Sequence, residues 1–291
     1  MKKVTYVGLF AFISLLALTP LSLFSEEGYW STLKFELSTA VSLEKSLLDS
    51  SYFHRYSPPF LSGAYASNAQ QTVNLNGQTG WGINAAFAYL PLKNFGLQFQ
   101  VEYAKPKISG KNSPYFVHLD YALSQDAVPP YPYTFERTFG WPDTVGHLSE
   151  LCFSLNALFR LPLSKKIALS FSGGLTYFLI DGEGTGLSYA KYWEEEAYFM
   201  GETYQFKFKF GTLNKLGLNA GAELNWVLFS TICYVMDVRF FGCPTSTLSM
   251  DIINEGLIPD PFDQVKATMS LHDIRINPSF YRINFGLKYL F

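Results

Sequence analysis

Large apolar residues recur at every second position in eight separate stretches of this 291-residue chain. Residues 95–104, for example, read Phe-Gly-Leu-Gln-Phe-Gln-Val-Glu-Tyr-Ala. Because successive side chains of a β-strand point to opposite faces, this pattern predicts strands that are apolar on one face only. The eight predicted strands cover residues 33–43, 80–89, 95–104, 150–161, 167–179, 204–226, 232–240 and 281–291.

The composition indicates that the apolar faces meet lipid. Hydrophobic residues make up 48% of the chain and charged residues only 16%, against about 25% charged residues in a typical globular protein. A helical membrane span needs about 20 consecutive apolar residues, and only the N-terminus comes close. Each stretch is long enough to cross a bilayer as a tilted strand of about 9–11 residues, and an even number of strands can close without an unpaired edge.

The connections alternate between short and long. Three are short, at residues 91–94, 162–166 and 229–231, and four are long, at 44–78, 106–146, 181–203 and 242–278. We therefore predict an all-β fold, a transmembrane antiparallel up-and-down β-barrel of eight strands with short periplasmic turns and four long extracellular loops. The predicted location is the outer membrane of a diderm (Gram-negative-type) bacterium. Gly182, Gly184 and Gly186 predict a flexible start to the third long loop.

The two ends of the chain carry targeting features. Lys2 and Lys3 precede an apolar run from Val4 to Leu18, which is typical of a secretory signal peptide. Cleavage after Ser25 would leave residues 26–291 as the barrel domain, while an uncleaved single-span anchor is the alternative. At the other end, a strand with Tyr289 and a terminal Phe291 resembles the signal that the barrel assembly machinery reads.

Several short motifs, in order, resemble the OmpW family of small outer-membrane barrels. The residues are Ala85–Leu90, Phe95-Gly96-Leu97, Lys105–Gly110, Gly174-Leu175-Thr176-Tyr177, Ile276-Asn277-Pro278 and Gly286–Phe291. The resemblance implies an eight-stranded barrel with a narrow, rather apolar passage for small hydrophobic solutes. It also implies an external surface used by phage, bacteriocins or host molecules. This chain departs from the family in its longer loops and in a charged interior.

The rows opposite the apolar ones predict that charged side chains fill the lumen. Because eight strands leave an interior about wide enough for side chains, buried charges there must be paired or neutral. We expect a salt-bridged network across the lumen, which favours a plug or a very narrow passage; the alternative is that some of these residues lie in water at the rims. The predicted network is Lys34, Glu36, Glu102, Glu150, Arg160, Glu223, Asp237, Arg239, Arg282 and Lys288.

Other function classes find little support. Without Lys2 and Lys3 the chain has 20 basic and 24 acidic residues, a net charge of −4, so nucleic acid is not expected as a partner. The cysteines Cys152, Cys233 and Cys243 form neither a disulfide framework nor a zinc motif. We expect no metal, cofactor or enzymatic activity, because no catalytic motif is present.

Three functional hypotheses follow. The leading one is OmpW-like passage of small, mostly hydrophobic solutes. The second is a closed barrel that presents surface loops to host or phage ligands, as an adhesin or antigen does; the aromatic segments 129–141 and 191–199 suit either a binding surface or a lid. The third, a hydrolase at the outer rim, would use His118 with Asp120 or His272 with Asp273. Outer-membrane lipid is a partner in each case.

Overall fold

The structure is a computed structural model that describes residues 34–56, 64–122, 132–140, 143–195, 198–229, 231–253 and 273–291. The predicted signal peptide, His272 and residues 129–131 and 141 of the first aromatic segment lie outside these ranges. In the part of the chain that is described, no helix is long and apolar enough to cross a membrane.

The described residues form fourteen strands, eight of which build a closed ring. The ring order is β1-β14-β10-β9-β8-β7-β4-β3, and β3 pairs back to β1. The strands are β1 (Phe35–Ser46), β2 (Asp49–Tyr56), β3 (Ala64–Tyr89), β4 (Phe95–Gly110), β5 (Tyr115–Ala122), β6 (Pro132–Phe139), β7 (Thr144–Pro162), β8 (Ile167–Glu195), β9 (Tyr198–Phe229), β10 (Ile232–Gly242), β11 (Ser246–Leu248), β12 (Met250–Ile253), β13 (Ile274–Ile276) and β14 (Phe280–Leu290).

Ring closure joins the first wall strand to the last. β1 pairs antiparallel with β14 along its length, and the backbone groups of Phe35 and Phe291 exchange two hydrogen bonds of 3.0 Å. The three short turns lie at the same end of the barrel as these two residues, where β3 meets β4, β7 meets β8 and β9 meets β10. The predicted eight-stranded antiparallel barrel is confirmed.

The segments predicted as long loops are largely β-structure. β8 and β9 run beyond the wall as a single hairpin paired as far as Glu195 and Tyr198. β3 continues upward, that is, away from the short turns, and pairs there with β2 and β5. β6 pairs with β5. The prediction of a flexible start at Gly182, Gly184 and Gly186 is wrong, since all three lie within β8. Pairing with a neighbouring strand satisfies the backbone groups that a loop would leave to water.

The outward face of the wall is a band of exposed apolar side chains. Along β14 it runs from Tyr281 to Phe291 without a charged residue, a distance of about 33 Å of strand or about 25 Å when the strand is tilted by about 40°. This is the height of the apolar band of transmembrane barrels. Tyr89, Phe95 and Trp226 lie exposed near the short-turn end, as an aromatic girdle requires.

Above this band the two faces of the wall exchange polarity, as β4 illustrates. Its outward row changes from apolar Phe99 to exposed Lys105, while its inward row changes from buried Gln100 to buried Ile108. A sheet whose outward face is polar and whose inward face is apolar is typical of a protein surrounded by water. The upper part of the barrel is therefore constructed like a soluble protein, and the short-turn part like a membrane protein.

A β-bulge in β9 brings three phenylalanines inside. Two steps along β8, from Ile180 to Gly182, face three steps along β9, from Leu213 to Phe210. Because one extra residue reverses the alternation, Leu216 and Leu218 point outward, whereas the row with Phe210 points inward. Residues 204–226 were predicted as one strand with its apolar residues on a single face, and that prediction is wrong for this reason. The inward row is Phe206, Phe208 and Phe210.

Deletion of Thr212 tests the bulge. Without the extra residue, the row that includes Phe208 would face water, at a cost of roughly 5 kcal/mol or more in lost burial. We expect the wall to form still, as judged by heat-dependent mobility on gels, while the outer part of the β8–β9 hairpin loses its pairing and trypsin cleaves at Lys207 and Lys209. Thr212→Ala, which keeps the chain length, should retain trypsin resistance. Equal resistance of the deletion and the alanine variant would contradict this account.

Candidate functional site

The interior nearest the short turns holds a cluster of four charged side chains, which we call the lower ion cluster. Glu36 on β1 accepts a hydrogen bond from Arg160 on β7 and lies 3.1 Å from the ammonium of Lys288 on β14. Lys288 also binds Glu223 on β9. The four side chains are between 0% and 5% exposed. They tie four wall strands together across the lumen.

A layer of amides and hydroxyls lies above the lower ion cluster. Asn219 donates to Asn156 at 2.7 Å and to Thr176 at 2.8 Å, and Asn156 donates to Gln98 at 3.2 Å. Arg239 donates to the side-chain oxygens of Asn219, at 2.6 Å, and Ser172, at 2.7 Å. It also lies 3.4 Å from Asp237. Side-chain oxygens on neighbouring strands therefore surround its charge.

The upper ion cluster is centred on Arg282 of β14. Its guanidinium donates to Glu44 on β1, at 3.0 Å from Nε, and to Glu102 on β4. Glu150 on β7 is buried beside Glu44. The ring centroid of Phe280 lies 4.6 Å from the guanidinium carbon, a cation–π contact. Arg282 therefore marks the boundary between the charged interior and the apolar residues above it.

The upper interior is an apolar core, which we call the cap core. Phe241 and Phe280 stack on each other with ring centroids 4.7 Å apart, and both lie over Arg282. Phe178 meets both rings edge-on. Further buried side chains come from the walls and from the strands beyond them. They include Leu48, Tyr52, Ala69, Val73, Leu75, Ile108, Tyr115, Val117, Leu148, Ile180, Leu187, Phe206, Phe208, Phe210, Leu213, Leu248, Met250, Ile252, Ile274 and Ile276.

Together these layers close the lumen. The void between the lower ion cluster and Arg239 has a volume of about 10 Å³, which is room for about one water molecule. Above it, the cap core is packed with side chains that are at most 6% exposed. Within the described residues, buried side chains therefore fill the interior at each of these levels.

The structure places nine of the ten predicted lumen charges inside the barrel. The exception is Lys34, which is exposed just before β1 begins. Glu44, which the sequence analysis assigned to a loop, lies inside instead and binds Arg282. The described interior therefore holds four basic and six acidic groups rather than five of each. The acidic excess lies around the upper ion cluster, where a carboxyl group must be paired or neutral.

The predicted assembly-signal residues lie at the seam of the ring. The Phe291 ring centroid is 5.9 Å from that of Phe35 and 5.6 Å from that of Tyr289. Phe35 in turn stacks on Tyr89 at 5.0 Å. This aromatic arc covers the closing strand pair at the membrane edge. Its role in assembly stays a prediction.

The residues proposed for a rim hydrolase do not form a described catalytic group. His118 Nδ1 lies 2.8 Å from Glu136 on the neighbouring strand, in contact with solvent. Asp273 is exposed, and the side chain of Asp120 lies outside what the structure describes. Among the described side chains, no group of three or more His, Cys, Asp or Glu is arranged to hold a metal ion. The three cysteines are buried and unpaired.

Comparisons with known proteins found similarity in structure but not in sequence. No protein-family model matches the chain, and no curated protein matches it. OprG from Pseudomonas aeruginosa is 8% identical, with 89% of this chain and 96% of that one covered and a TM-score of 0.42. A major outer membrane protein from Thermus thermophilus is 13% identical, covers 88% and 99%, and has a TM-score of 0.39. Ail, the attachment invasion locus protein of Yersinia pestis, is 10% identical, covers 89% and 100%, and has a TM-score of 0.34.

Arg282→Met tests the upper ion cluster. The change would leave Glu44 and Glu102 buried without their cation, so we expect a loss of about 3–5 kcal/mol in the free energy of unfolding. Unfolding by urea in lipid vesicles would measure it. Arg275→Met, at an exposed position, should change stability little. The double variant R282M/E102M should recover part of the loss; full additivity of the two changes would contradict the coupling.

Proposed function

We propose that this protein is a closed outer-membrane barrel that presents a rigid β-structured cap at the cell surface for binding host or phage ligands. The observation that carries the proposal is the filled interior. Ion pairs and amides occupy the membrane-spanning half, and the cap core occupies the half above it. A protein that conducts solutes through its lumen needs space there, whereas a scaffold needs a firm attachment for its outer strands.

The construction of the cap supports presentation. The cap core joins strands that lie outside the ring, such as β2 and β12, to the wall strands β3 and β9. A hydrophobic core holds these hairpins in one arrangement, so that they do not move as separate loops. Preorganised surfaces bind at a lower entropic cost than flexible ones.

The competing hypothesis is the OmpW-like passage for small hydrophobic solutes. It requires either that the cap core moves aside or that solutes travel along the outer wall. The narrow, rather apolar passage implied by the family resemblance is not supported by the charged and amide layers of the lumen. For hydrolysis at the rim, the described residues offer no catalytic group of side chains.

Cysteine labelling on intact bacteria tests the proposed presentation. Lys111, which follows β4 at the cap end, and Lys93, in the β3–β4 turn, are both exposed, and the native cysteines are buried. Lys111→Cys should react with a bulky maleimide that does not cross the outer membrane. Lys93→Cys should react only after the membrane is permeabilised.

The two variants are matched in residue type and exposure, so they differ only in the end of the barrel that they report. Labelling of both or of neither on intact cells, with the barrel folded, would contradict the proposed orientation. Labelling of Lys93→Cys alone would reverse it and place the cap in the periplasm.

A further inference from the structure

Three lysines stand on one part of the outer wall, immediately above its apolar band. Lys45 on β1 and Lys105 and Lys107 on β4 point outward and are exposed. Below them, the outward rows of β14, β1, β3 and β4 contain no acidic residue. Those rows are Tyr281, Ile283, Phe285 and Leu287; Thr39, Val41 and Leu43; Thr79, Trp81, Ile83 and Ala85; and Phe99, Val101 and Tyr103.

A groove lies on the same four strands, below the lysines. Its floor is formed by the small side chains of Thr39 and Ala85, which are paired across β1 and β3. Larger neighbours form its walls, among them Ile83, Tyr103 and Phe285. Its volume is about 600 Å³, and it is open along the outer wall. Because it opens through the apolar band, an apolar chain is the occupant that suits it.

We propose that the groove and the three lysines form a binding site for a membrane lipid whose phosphate headgroup carries a net negative charge. The acyl chain would lie over Thr39 and Ala85, and the phosphate would bind the ammonium groups of Lys45 and Lys105. Lys105 lies one outward position above Tyr103, about 7 Å along the strand. Lys45 lies two such positions above Val41, about 13 Å. The lysines thus lie where the headgroup of a lipid seated in the groove would be.

Charge complementarity favours a lipid with an anionic headgroup as the occupant of the groove. The ammonium of Lys45 donates one hydrogen bond to the Gly77 carbonyl at 2.7 Å and keeps two donors for an anion. Lysines at a membrane surface attract anionic headgroups. Lys209, on β9, is also exposed above the band, but it is paired across the sheet with Glu183 on one side and Asp251 on the other. Its surroundings lack the groove, and both of these cross-strand neighbours are acidic.

Native mass spectrometry of the refolded full barrel in detergent would test the site, with dioleoyl phosphatidic acid as the probe and dioleoyl phosphatidylcholine as the reference. We expect one phosphatidic acid to bind in preference to phosphatidylcholine. Lys45→Ala and Lys105→Ala should each reduce that preference by roughly fivefold. Lys209→Ala, which removes the same charge, should leave the preference unchanged.

A groove-filling variant, T39L/A85L, keeps all three lysines and should weaken the binding of phosphatidic acid. An equal reduction by Lys209→Ala would overturn the proposal, because it would indicate a general charge effect. Unaltered binding of phosphatidic acid to T39L/A85L would overturn the role of the groove. If that variant also converted a dimer to a monomer, the groove would instead be a contact between two copies of the chain. The site rests on the proposed membrane orientation, which the labelling of Lys111→Cys checks separately.

Discussion

Lipid offers no hydrogen-bond partners to a polypeptide backbone, so a sheet can cross a bilayer only when its first and last strands pair with each other. In this protein that requirement is met between β1 and β14, where Phe35 and Phe291 close the ring. Closure with eight strands also fixes the width of the lumen, which side chains can fill. The ion clusters and the amide layer follow from that narrow lumen, and the apolar outer band follows from contact with lipid.

The same wall faces lipid near the short turns and water at the cap, because the polar and apolar faces of its strands exchange places between the two parts. Strand β4 does this by changing the residue types in each row, from Phe99 and Gln100 to Lys105 and Ile108. Strand β9 does it with a bulge beside Phe210. Arg282 lies at the level of the change, bound to carboxylates and covered by Phe280. The cap is therefore continuous with the membrane barrel through the strands that the two parts share.

Period-two alternation was sufficient to predict the wall strands, because a lipid-facing row must be apolar throughout. It could not predict the cap, since there the apolar row turns inward and the outward row becomes polar. Glu44 was missed for that reason: Lys45, next to it, faces outward and interrupts the apolar row. A signal was available in β9, where Lys207 and Lys209 alternate with phenylalanines. Lysines in a row that would otherwise face lipid place that segment above the membrane.

The central claim is that side chains close the lumen, and the native thiol of Cys152 reports on it directly. Cys152 is fully buried on the inward face of β7, between Glu150 and Ser154. A small methanethiosulfonate reagent, added to the protein refolded in vesicles, should leave Cys152 unmodified, and the same reagent should modify it after unfolding in urea. Modification of Cys152 in the folded barrel at the rate seen in urea would mean that water and small solutes enter the lumen, and it would contradict this account.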